Sequence, residues 1–322
     1  MDQTGLPVLC RGPGHSIHYV QVAVVGLGKM GTALARRLIA EGFAVTAWSR
    51  RQAAVEPLVM AGAVAAPELA AIWGAARVAM TFLADDQAVE HVYLSSGGLI
   101  EAAPDGALLI EMSTISPAAS ALVAAAAESR HLHYVRCPVS GNPGVLTAGN
   151  LALIVSGDPA SVEAARPVLE HVGSKIYYVG AQEQARVLKL AVNSMVAANA
   201  QMLAELVTLC EASGIDRSVV LDVVSGSAIG SPFVKYKTDA LIGRRYDATF
   251  TTAMLVKDLK LAQAVAEAES VPLPVTDLVT ELAVASCEEG LGDLDFLALL
   301  PHLQARAGRP ADVPVTLPTQ AS

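Results

Sequence analysis

The sequence predicts an α/β fold, in which a doubly wound sheet is followed by an all-α C-terminal domain. In the first half of the chain, short apolar runs alternate with stretches of helical periodicity. A glycine-rich turn follows the first apolar run directly, and strand signals almost disappear beyond residue 180. Alternating strands and helices form βαβ units, and such units build a mostly parallel sheet. The first half is therefore expected to be a Rossmann-type domain.

The predicted strands are apolar runs that end at glycines or polar residues. They cover residues 19–25, 43–48, 78–83, 107–110, 133–135 and 151–155. Helical patterns lie between several of them, at residues 30–41 and 117–129 among others. Since each helix separates two strands, the connections are long enough to be the crossovers that parallel strands need.

The character of the chain changes after Gly180. Residues 184–211 form a long helical pattern without Gly or Pro, and shorter helical stretches follow it. We therefore predict four segments. They are a disordered leader at residues 1–18, a Rossmann domain at 19–181, a helical substrate and oligomerisation domain at 182–304, and a disordered tail at 305–322.

Composition and charge exclude several classes of function. The 322 residues are 53% hydrophobic but only 4% aromatic, and the formal net charge is −9. Without a dense Lys/Arg tract, neither nucleic acid nor an anionic membrane is expected as a partner. The four cysteines form no CxxC pair, so no metal site is predicted. The first 18 residues lack the apolar core of a signal peptide, which favours the cytoplasm.

The glycine turn at residues 26–31 has the pattern GxGxxG. It follows a predicted strand and opens a predicted helix, which is the context of a dinucleotide-binding turn. Its residues are Gly26, Leu27, Gly28, Lys29, Met30 and Gly31. The first glycine allows the tight turn, the second lets a pyrophosphate approach the backbone, and the third lets helix and strand pack closely. The turn therefore predicts an NAD or NADP site, against the alternative of a merely structural glycine turn.

The end of the second predicted strand bears on the choice between NAD and NADP. An acidic residue there would bind the ribose hydroxyls of NAD, but the sequence has Ser49, Arg50 and Arg51. An arginine can neutralise a 2′-phosphate and a serine can hydrogen-bond to it, so NADP is the preferred prediction. The alternative is that both arginines are ordinary surface charges.

Five motifs in order resemble the β-hydroxyacid dehydrogenase family, which includes 3-hydroxyisobutyrate dehydrogenases and glyoxylate or succinic semialdehyde reductases. The glycine turn resembles its GLGxMGxxMAxNL opening. MSTISP at residues 112–117 resembles the (S/T)TxxP cofactor loop, and PVSGNPG at 138–144 resembles the substrate segment PVSGGxxG. KLAVN at 189–193 resembles KxxNN, and KDL at 257–259 matches the KDL near the nicotinamide. The resemblance covers roughly residues 20–300.

The resemblance implies an NAD(P)-dependent oxidoreductase acting on a small 3-hydroxy acid or its carbonyl partner. It implies cofactor contacts at Thr114 and Lys257, and we add Leu83, at the end of the third predicted strand. For the substrate it implies Ser140, Gly141 and Asn142, together with Phe233 in an SxxF loop at residues 231–237. The family also commonly forms homodimers or homotetramers.

Lys189 and Asn193 are the predicted catalytic residues. A spacing of four places them on one face of a helix, within reach of each other. Lys189 could then act as general acid when a carbonyl is reduced and as base in the reverse direction. By spacing alone, a solvated lysine at a helix start is the stronger interpretation, and the ordered motifs reverse that preference.

Several positions depart from the family pattern. The family usually has Asp at Arg136, a second Gly at Asn142, Asn at Val192, and Gly at Glu183 and Ala185. Arg136 and Asn142 leave the substrate open, because both flank the predicted carboxylate site. Two alternatives remain: an imine reductase, which would usually lack the lysine, and a catalytically silent NADP-binding scaffold with the same fold.

Overall fold

The structure, a computed structural model, describes residues 21–315 of the chain. It divides into two compact units, and the division falls between Lys189 and Leu190. The division lies inside a long helix, eight residues beyond the predicted boundary at 181. The predicted leader at residues 1–18 and residues 316–322 of the predicted tail lie outside the described residues.

The described part of the first unit contains one nine-stranded sheet. Its strands are β1 (Gln21–Val25), β2 (Ala44–Trp48), β3 (Val64–Ala65), β4 (Val78–Thr81), β5 (Leu108–Glu111), β6 (His133–Arg136), β7 (Val139–Ser140), β8 (Ala152–Ser156) and β9 (Lys175–Gly180). Their order is β3-β2-β1-β4-β5-β6-β8-β7, and β9 pairs with β8. From β3 to β6 all neighbours are parallel, whereas β8 runs antiparallel to β6 and β7. The strand order reverses between β1 and β4, where open α/β sheets bind ligands at the carboxyl ends of their strands.

Helices cover both faces of this sheet. The helices of the first unit are α1 (Lys29–Ala40), α2 (Glu56–Val59), α3 (Asp86–Leu94), α4 (Leu99–Ala102), α5 (Pro117–Ser129), α6 (Pro143–Thr147) and α7 (Pro159–Leu169). Successive side chains of a strand point to opposite faces, so Val22 and Val24 enter one apolar core while Ala23 and Val25 enter another. The predicted α/β class is confirmed.

The described residues of the second unit, 190–315, form helices and the segments that connect them, as predicted. The helix α8 (Gln184–Ala212) runs through the division between the units. It is followed by α9 (Arg217–Gly226), α10 (Pro232–Ile242), α11 (Thr252–Ala268), α12 (Pro274–Ser286) and α13 (Leu299–Arg306). Their apolar faces build a core of their own around residues such as Val207, Leu255 and Phe296.

Among the described helices, α8 is long and apolar enough by length and composition to cross a membrane. About 44% of its most apolar window is buried, and core helices of soluble proteins share these properties. The length and composition of α8 are therefore only weak evidence for a membrane span.

The C-terminal segment is anchored as far as residue 315, so the prediction of a disordered tail from residue 305 is wrong for this part. The side chain of Asp312 is fully buried and accepts hydrogen bonds from Arg217 Nη1 at 2.5 Å and Tyr246 Oη at 2.6 Å. Val313 and Val315 pack on the core of the second unit. The sequence analysis could not predict this anchor, because the segment has no apolar periodicity and the partner of Asp312 lies 95 residues away in the chain.

Asp312→Ala is expected to lower the free energy of unfolding by about 1.5–3 kcal/mol at neutral pH, the usual contribution of hydrogen bonds to a charged group. Burial alone would raise the pKa of Asp312, but the hydrogen bonds from Arg217 and Tyr246 outweigh it and hold this pKa below its usual range. A lowered folded-state pKa stabilises the fold above the unfolded-state pKa of about 3.9. The contribution is lost as the pH falls through the lower folded value.

Urea unfolding at neutral and acidic pH measures this effect. The difference between wild type and Asp312→Ala should be largest near neutrality and should shrink below a pH of about 4. Asp222→Ala, at an exposed position of α9, is the matched control and should leave stability nearly unchanged. Equal stabilities of wild type and Asp312→Ala at neutral pH would contradict an anchoring role.

Candidate active site

The glycine turn between β1 and α1 leaves no room for side chains at two of its positions. Gly26 has φ +88°, and a Cβ atom there would lie 2.2 Å from the carbonyl oxygen of Phe82. A Cβ atom at Gly31 would lie 1.8 Å from the carbonyl oxygen of Gly26. Both glycines are therefore required by the turn and by the close packing of helix on strand.

Gly28 is different, because a Cβ atom there would meet nothing within 4 Å. It is the N-cap of α1 and faces an open groove of about 530 Å³. The groove is lined by Leu27, Gly28, Lys29, Thr32, Ala33, Arg36, Arg51, Pro143, Gly144 and Thr147. Packing does not require a glycine at position 28. The absence of a side chain there keeps the space beside the helix N-terminus open.

The groove fits the diphosphate part of a dinucleotide. The helix N-terminus offers backbone N–H groups and a positive dipole end, and the walls carry the cations of Lys29, Arg36 and Arg51. Arg50 is exposed and Ser49 nearly buried, at the end of β2. Of the two predicted arginines, Arg51 is the one that lines the groove. Met30, also in the predicted set, packs on the core beneath the turn.

The remaining predicted cofactor residues of the first unit lie on loops that follow β4 and β5. Ser113 Oγ accepts a hydrogen bond from the backbone N–H of Leu83 at 2.7 Å, which ties the two loops together. Thr114 follows Ser113 directly, and the side chain of Leu83 lies beside Gly26. The structure thus brings Leu83, the Thr114 loop and the glycine turn to the same edge of the sheet.

Sequence reasoning missed two charged residues beneath these loops. Glu111, at the end of β5, is fully buried and pairs with the buried Arg186 of α8 at 2.5 Å. Arg186 follows Gln182, Glu183 and Gln184, so nothing in the sequence marks it as a buried residue. Its partner could not be identified because 75 residues separate the two.

The predicted substrate segment follows β6. Ser140 ends β7 and is half-buried, and Gly141 lies so close to Leu151 that a Cβ atom would be 2.5 Å from its side chain. Asn142 is the N-cap of α6, and its Oδ1 accepts a hydrogen bond from the N–H of Val145 at 3.0 Å. The Oδ1 atom of Asn142 is used by this capping bond. A contact between the Asn142 amide nitrogen and the substrate remains a prediction.

Two departures from the family pattern are partners of each other. Arg136, nearly buried at the end of β6, donates from Nε to Glu183 Oε1 at 2.7 Å. The family's usual Asp and Gly at these positions could not make this pair. Arg136 is therefore satisfied within the first unit by Glu183, and the substrate need not supply its counter-charge.

Lys189 is half-buried on the second turn of α8 and is the last residue of the first unit. In the second unit, Asn193 is buried, and its Nδ2 donates to Asp258 Oδ2 at 2.6 Å. Lys257 Nζ lies 3.0 Å from the other oxygen of Asp258. Asp258, which the sequence analysis did not select, therefore connects two predicted site residues and fixes the orientation of the Asn193 amide.

Phe233 lies on α10, which begins after Ser231 and covers most of the segment predicted as an SxxF loop. The Ser231 hydroxyl caps this helix by accepting from the N–H of Val234 at 3.2 Å. The ring of Phe233 stacks on Phe296 at a centroid distance of 6.1 Å. Phe233 is thus partly a core residue of the second unit, and its contact with substrate remains a prediction.

Comparison with known proteins agrees with these features. Residues 21–180 match the family model for the NAD binding domain of 6-phosphogluconate dehydrogenase. Residues 184–303 match the model described as NAD-binding of NADP-dependent 3-hydroxyisobutyrate dehydrogenase. An NAD-dependent L-serine dehydrogenase of Pseudomonas aeruginosa is 32% identical over 283 residues, which cover 86% of this chain and 95% of the relative.

Solved structures extend the similarity to the whole fold. The Mycobacterium tuberculosis 3-hydroxyisobutyrate dehydrogenase with L-serine is 27% identical, with a TM-score of 0.79 over 88% of this chain and 99% of that one. An imine reductase from Pseudomonas sp. covers 89% of this chain and all of its own, but at 20% identity and a TM-score of 0.55 it shows only a common fold. The chain therefore belongs to the β-hydroxyacid dehydrogenase family and is an NAD(P)-dependent oxidoreductase that acts on CH–OH groups.

Proposed function

We propose that this enzyme interconverts a small 3-hydroxy acid and its semialdehyde or keto partner, with Lys189 as the general acid and base. The observation that carries the proposal is Lys189 on α8, followed one helical turn later by an asparagine whose amide is oriented by the buried Asp258. The names of the relatives support the substrate class, since 3-hydroxyisobutyrate and L-serine are both 3-hydroxy carboxylates.

Each predicted residue then has a chemical task. When bound, the nicotinamide cofactor accepts or supplies the hydride. In the oxidation direction, neutral Lys189 takes the proton of the substrate hydroxyl at Nζ, and in reduction the ammonium returns a proton to the carbonyl oxygen. Ser140 Oγ and the backbone at Gly141 bind the substrate carboxylate, as polar groups of a glycine-rich turn can. Asn193 orients the reacting oxygen.

A panel of small substrates with both cofactors tests the proposal. The purified enzyme is assayed with 3-hydroxyisobutyrate, L-serine, glyoxylate, succinic semialdehyde and a set of cyclic imines, while nicotinamide absorbance is followed. Turnover should be highest with 3-hydroxyisobutyrate or L-serine. Highest turnover with glyoxylate or succinic semialdehyde, which are reduced to a 2-hydroxy and a 4-hydroxy acid, would contradict the 3-hydroxy acid class. Turnover of cyclic imines alone would establish the imine-reductase alternative, and nucleotide binding without any turnover would establish the silent scaffold.

The groove also supports a preference for NADP(H) over NAD(H). Arg51 lines the groove, and Ser49 and Arg50 directly precede it in the chain, where an acidic residue would favour NAD. Arg50→Ala combined with Arg51→Ala is expected to raise the Michaelis constant for NADPH by about 10- to 150-fold for each arginine that binds the 2′-phosphate. The constant for NADH should change little, because NADH carries no 2′-phosphate.

Initial-rate kinetics with each cofactor measure this preference. Arg130→Ala, at an exposed position after α5, is the control for the removal of a surface arginine and should affect neither cofactor. Similar changes for NADPH and NADH in the double variant would show that both arginines are ordinary surface charges. A homo-oligomeric state and a cytoplasmic location remain predictions from the sequence.

A further inference from the structure

The largest fully buried side chain among the described residues belongs to Arg186, on the first turn of α8. Its guanidinium pairs with the carboxylate of Glu111, which is also fully buried. Burial by itself disfavours the charged guanidinium, but Glu111, Tyr134 and Glu183 together outweigh this effect and raise the pKa of Arg186. The first unit therefore contains a buried ion pair that the proposed chemistry does not use directly.

Arg186 donates hydrogen bonds to several separate segments of the first unit. Its Nη1 donates to the carbonyl oxygen of Ser113 at 2.8 Å, in the loop after β5. Nε donates to Ser120 Oγ at 3.2 Å on α5, and Nη2 donates to Tyr134 Oη at 3.3 Å on β6. Since a guanidinium is planar and rigid, these bonds fix the direction of the first turn of α8 relative to three parts of the sheet domain.

The same network reaches the predicted cofactor loops. Glu111 Oε1 accepts from the backbone N–H of Ser113 at 2.8 Å, so Ser113 is held by both members of the ion pair. Ser113 Oγ in turn accepts from the N–H of Leu83, and Thr114 is the next residue of the chain. One continuous set of hydrogen bonds thus joins both cofactor loops to the helical turn that precedes Lys189.

A buried ion pair is an unusual choice if stability alone is required. Apolar residues of similar volume often stabilise a core equally well, because they avoid the desolvation of two charges. Apolar packing could not, however, hold the Ser113 carbonyl and N–H groups in one direction. The chemistry of the pair therefore favours a role in geometry.

We propose that Arg186 and Glu111 are positioning residues, which set Lys189 relative to the loops that carry Leu83 and Thr114. This inference rests on the proposed role of Lys189 and names the part of the fold that supports it. Lys189 lies three residues after Arg186, so a tilt of the first turn of α8 moves its ammonium group. A misplacement of about 1 Å at a reacting group can lower a rate by about 100-fold.

The test replaces both charges with apolar residues, in the double variant Arg186→Met with Glu111→Leu. No buried charge is left unpaired, so the double variant is expected to fold, with a stability lowered by the loss of the hydrogen bonds to Ser113, Ser120 and Tyr134. Its kcat should nevertheless fall by about 10- to 100-fold, whereas the Michaelis constant of the substrate should change little.

Amide hydrogen exchange at Leu83, measured without cofactor, should become faster because the N–H no longer has a fixed acceptor. NADPH binding, measured by fluorescence titration, should weaken.

Wild-type kcat and wild-type exchange at Leu83 in a stable double variant would overturn the proposal. If the double variant does not fold, Arg186→Lys replaces it, because lysine keeps the charge but lacks the fork of donors. That variant should also have a lower kcat, and wild-type kcat there would equally overturn the proposal. Asp312→Ala is the control for instability in general and should retain the wild-type kcat.

Failure of the proposed function has a separate signature. A wild-type enzyme that turns over no 3-hydroxy acid would overturn that substrate class. The exchange of Leu83 and the affinity for NADPH do not depend on the substrate. If neither changes in the variants, the proposed positioning network is overturned even when the function is correct.

Discussion

Lys189→Ala is expected to lower kcat by about 10²–10⁴-fold, the usual contribution of a positioned general acid or base. The affinity for NADP(H) should be nearly unchanged, because the groove at Gly28 and Arg51 does not include Lys189. A fall in turnover with little change in cofactor binding identifies a group that acts mainly in the transition state. Steady-state kinetics with the best substrate of the panel, together with fluorescence titration of NADPH, measure both quantities.

Three further variants make this test specific. Lys189→Arg should not restore turnover, since a guanidinium stays protonated and has a different shape. Asn193→Ala should reduce turnover less than Lys189→Ala does, and the double variant should be non-additive if the two residues act as a unit. Lys175→Ala, at an exposed position of β9, controls for the removal of a surface lysine. If Lys189→Ala keeps wild-type turnover, a lysine-independent route such as that of an imine reductase replaces the proposed mechanism.

Gly28→Val is expected to abolish nucleotide binding while the fold persists. A Cβ atom at this position meets no protein atom within 4 Å, so the branched side chain extends into the groove where the diphosphate must lie. A saturating ligand at about 100 times its dissociation constant stabilises a protein by about 2.7 kcal/mol. The thermal shift that NADPH causes in the wild type should therefore vanish in the variant.

Two other glycines calibrate this experiment. Gly226→Val is the matched control, since a Cβ atom there also meets nothing within 4 Å but lies in the second unit, outside the groove. It should keep the full shift. Gly31→Val should instead destabilise the protein without ligand, because its Cβ atom would collide with the carbonyl of Gly26. A full wild-type shift in Gly28→Val would contradict the assignment of this turn to the cofactor.

Much of the fold can be predicted because its determinants are local. The strand that leads into Gly26 ends at the predicted residue, while residues 19–20 of its prediction lie outside the described residues; the helix after it and the helix α5 (Pro117–Ser129) lie within one residue of their predicted bounds. The strands β3 and β7 have no sequence signal, because two residues are too few to show a periodic pattern. The family motif predicts a loop at Ser231, where the serine is instead the N-cap of a helix.

The candidate site divides in the same way. The glycine turn, Lys189, Asn193 and the two arginines after β2 belong to motifs a few residues long, which can be recognised without the fold. Variants of these residues test whether they bind cofactor and substrate. Asp258 lies in the KDL motif, but its role could not be predicted from the sequence, since it depends on the hydrogen bond from Asn193, which lies 65 residues earlier.

By itself, the sequence determined the α/β class, the glycine turn and the order of the family motifs, because glycine conformation and apolar periodicity act over short stretches of chain. Only the tertiary structure decided which charges are paired. Arg136 with Glu183, Arg186 with Glu111 and Arg217 with Asp312 each join residues that are far apart in the chain. A buried charge needs a partner, but any of several carboxylates could provide it, and only the folded geometry selects one.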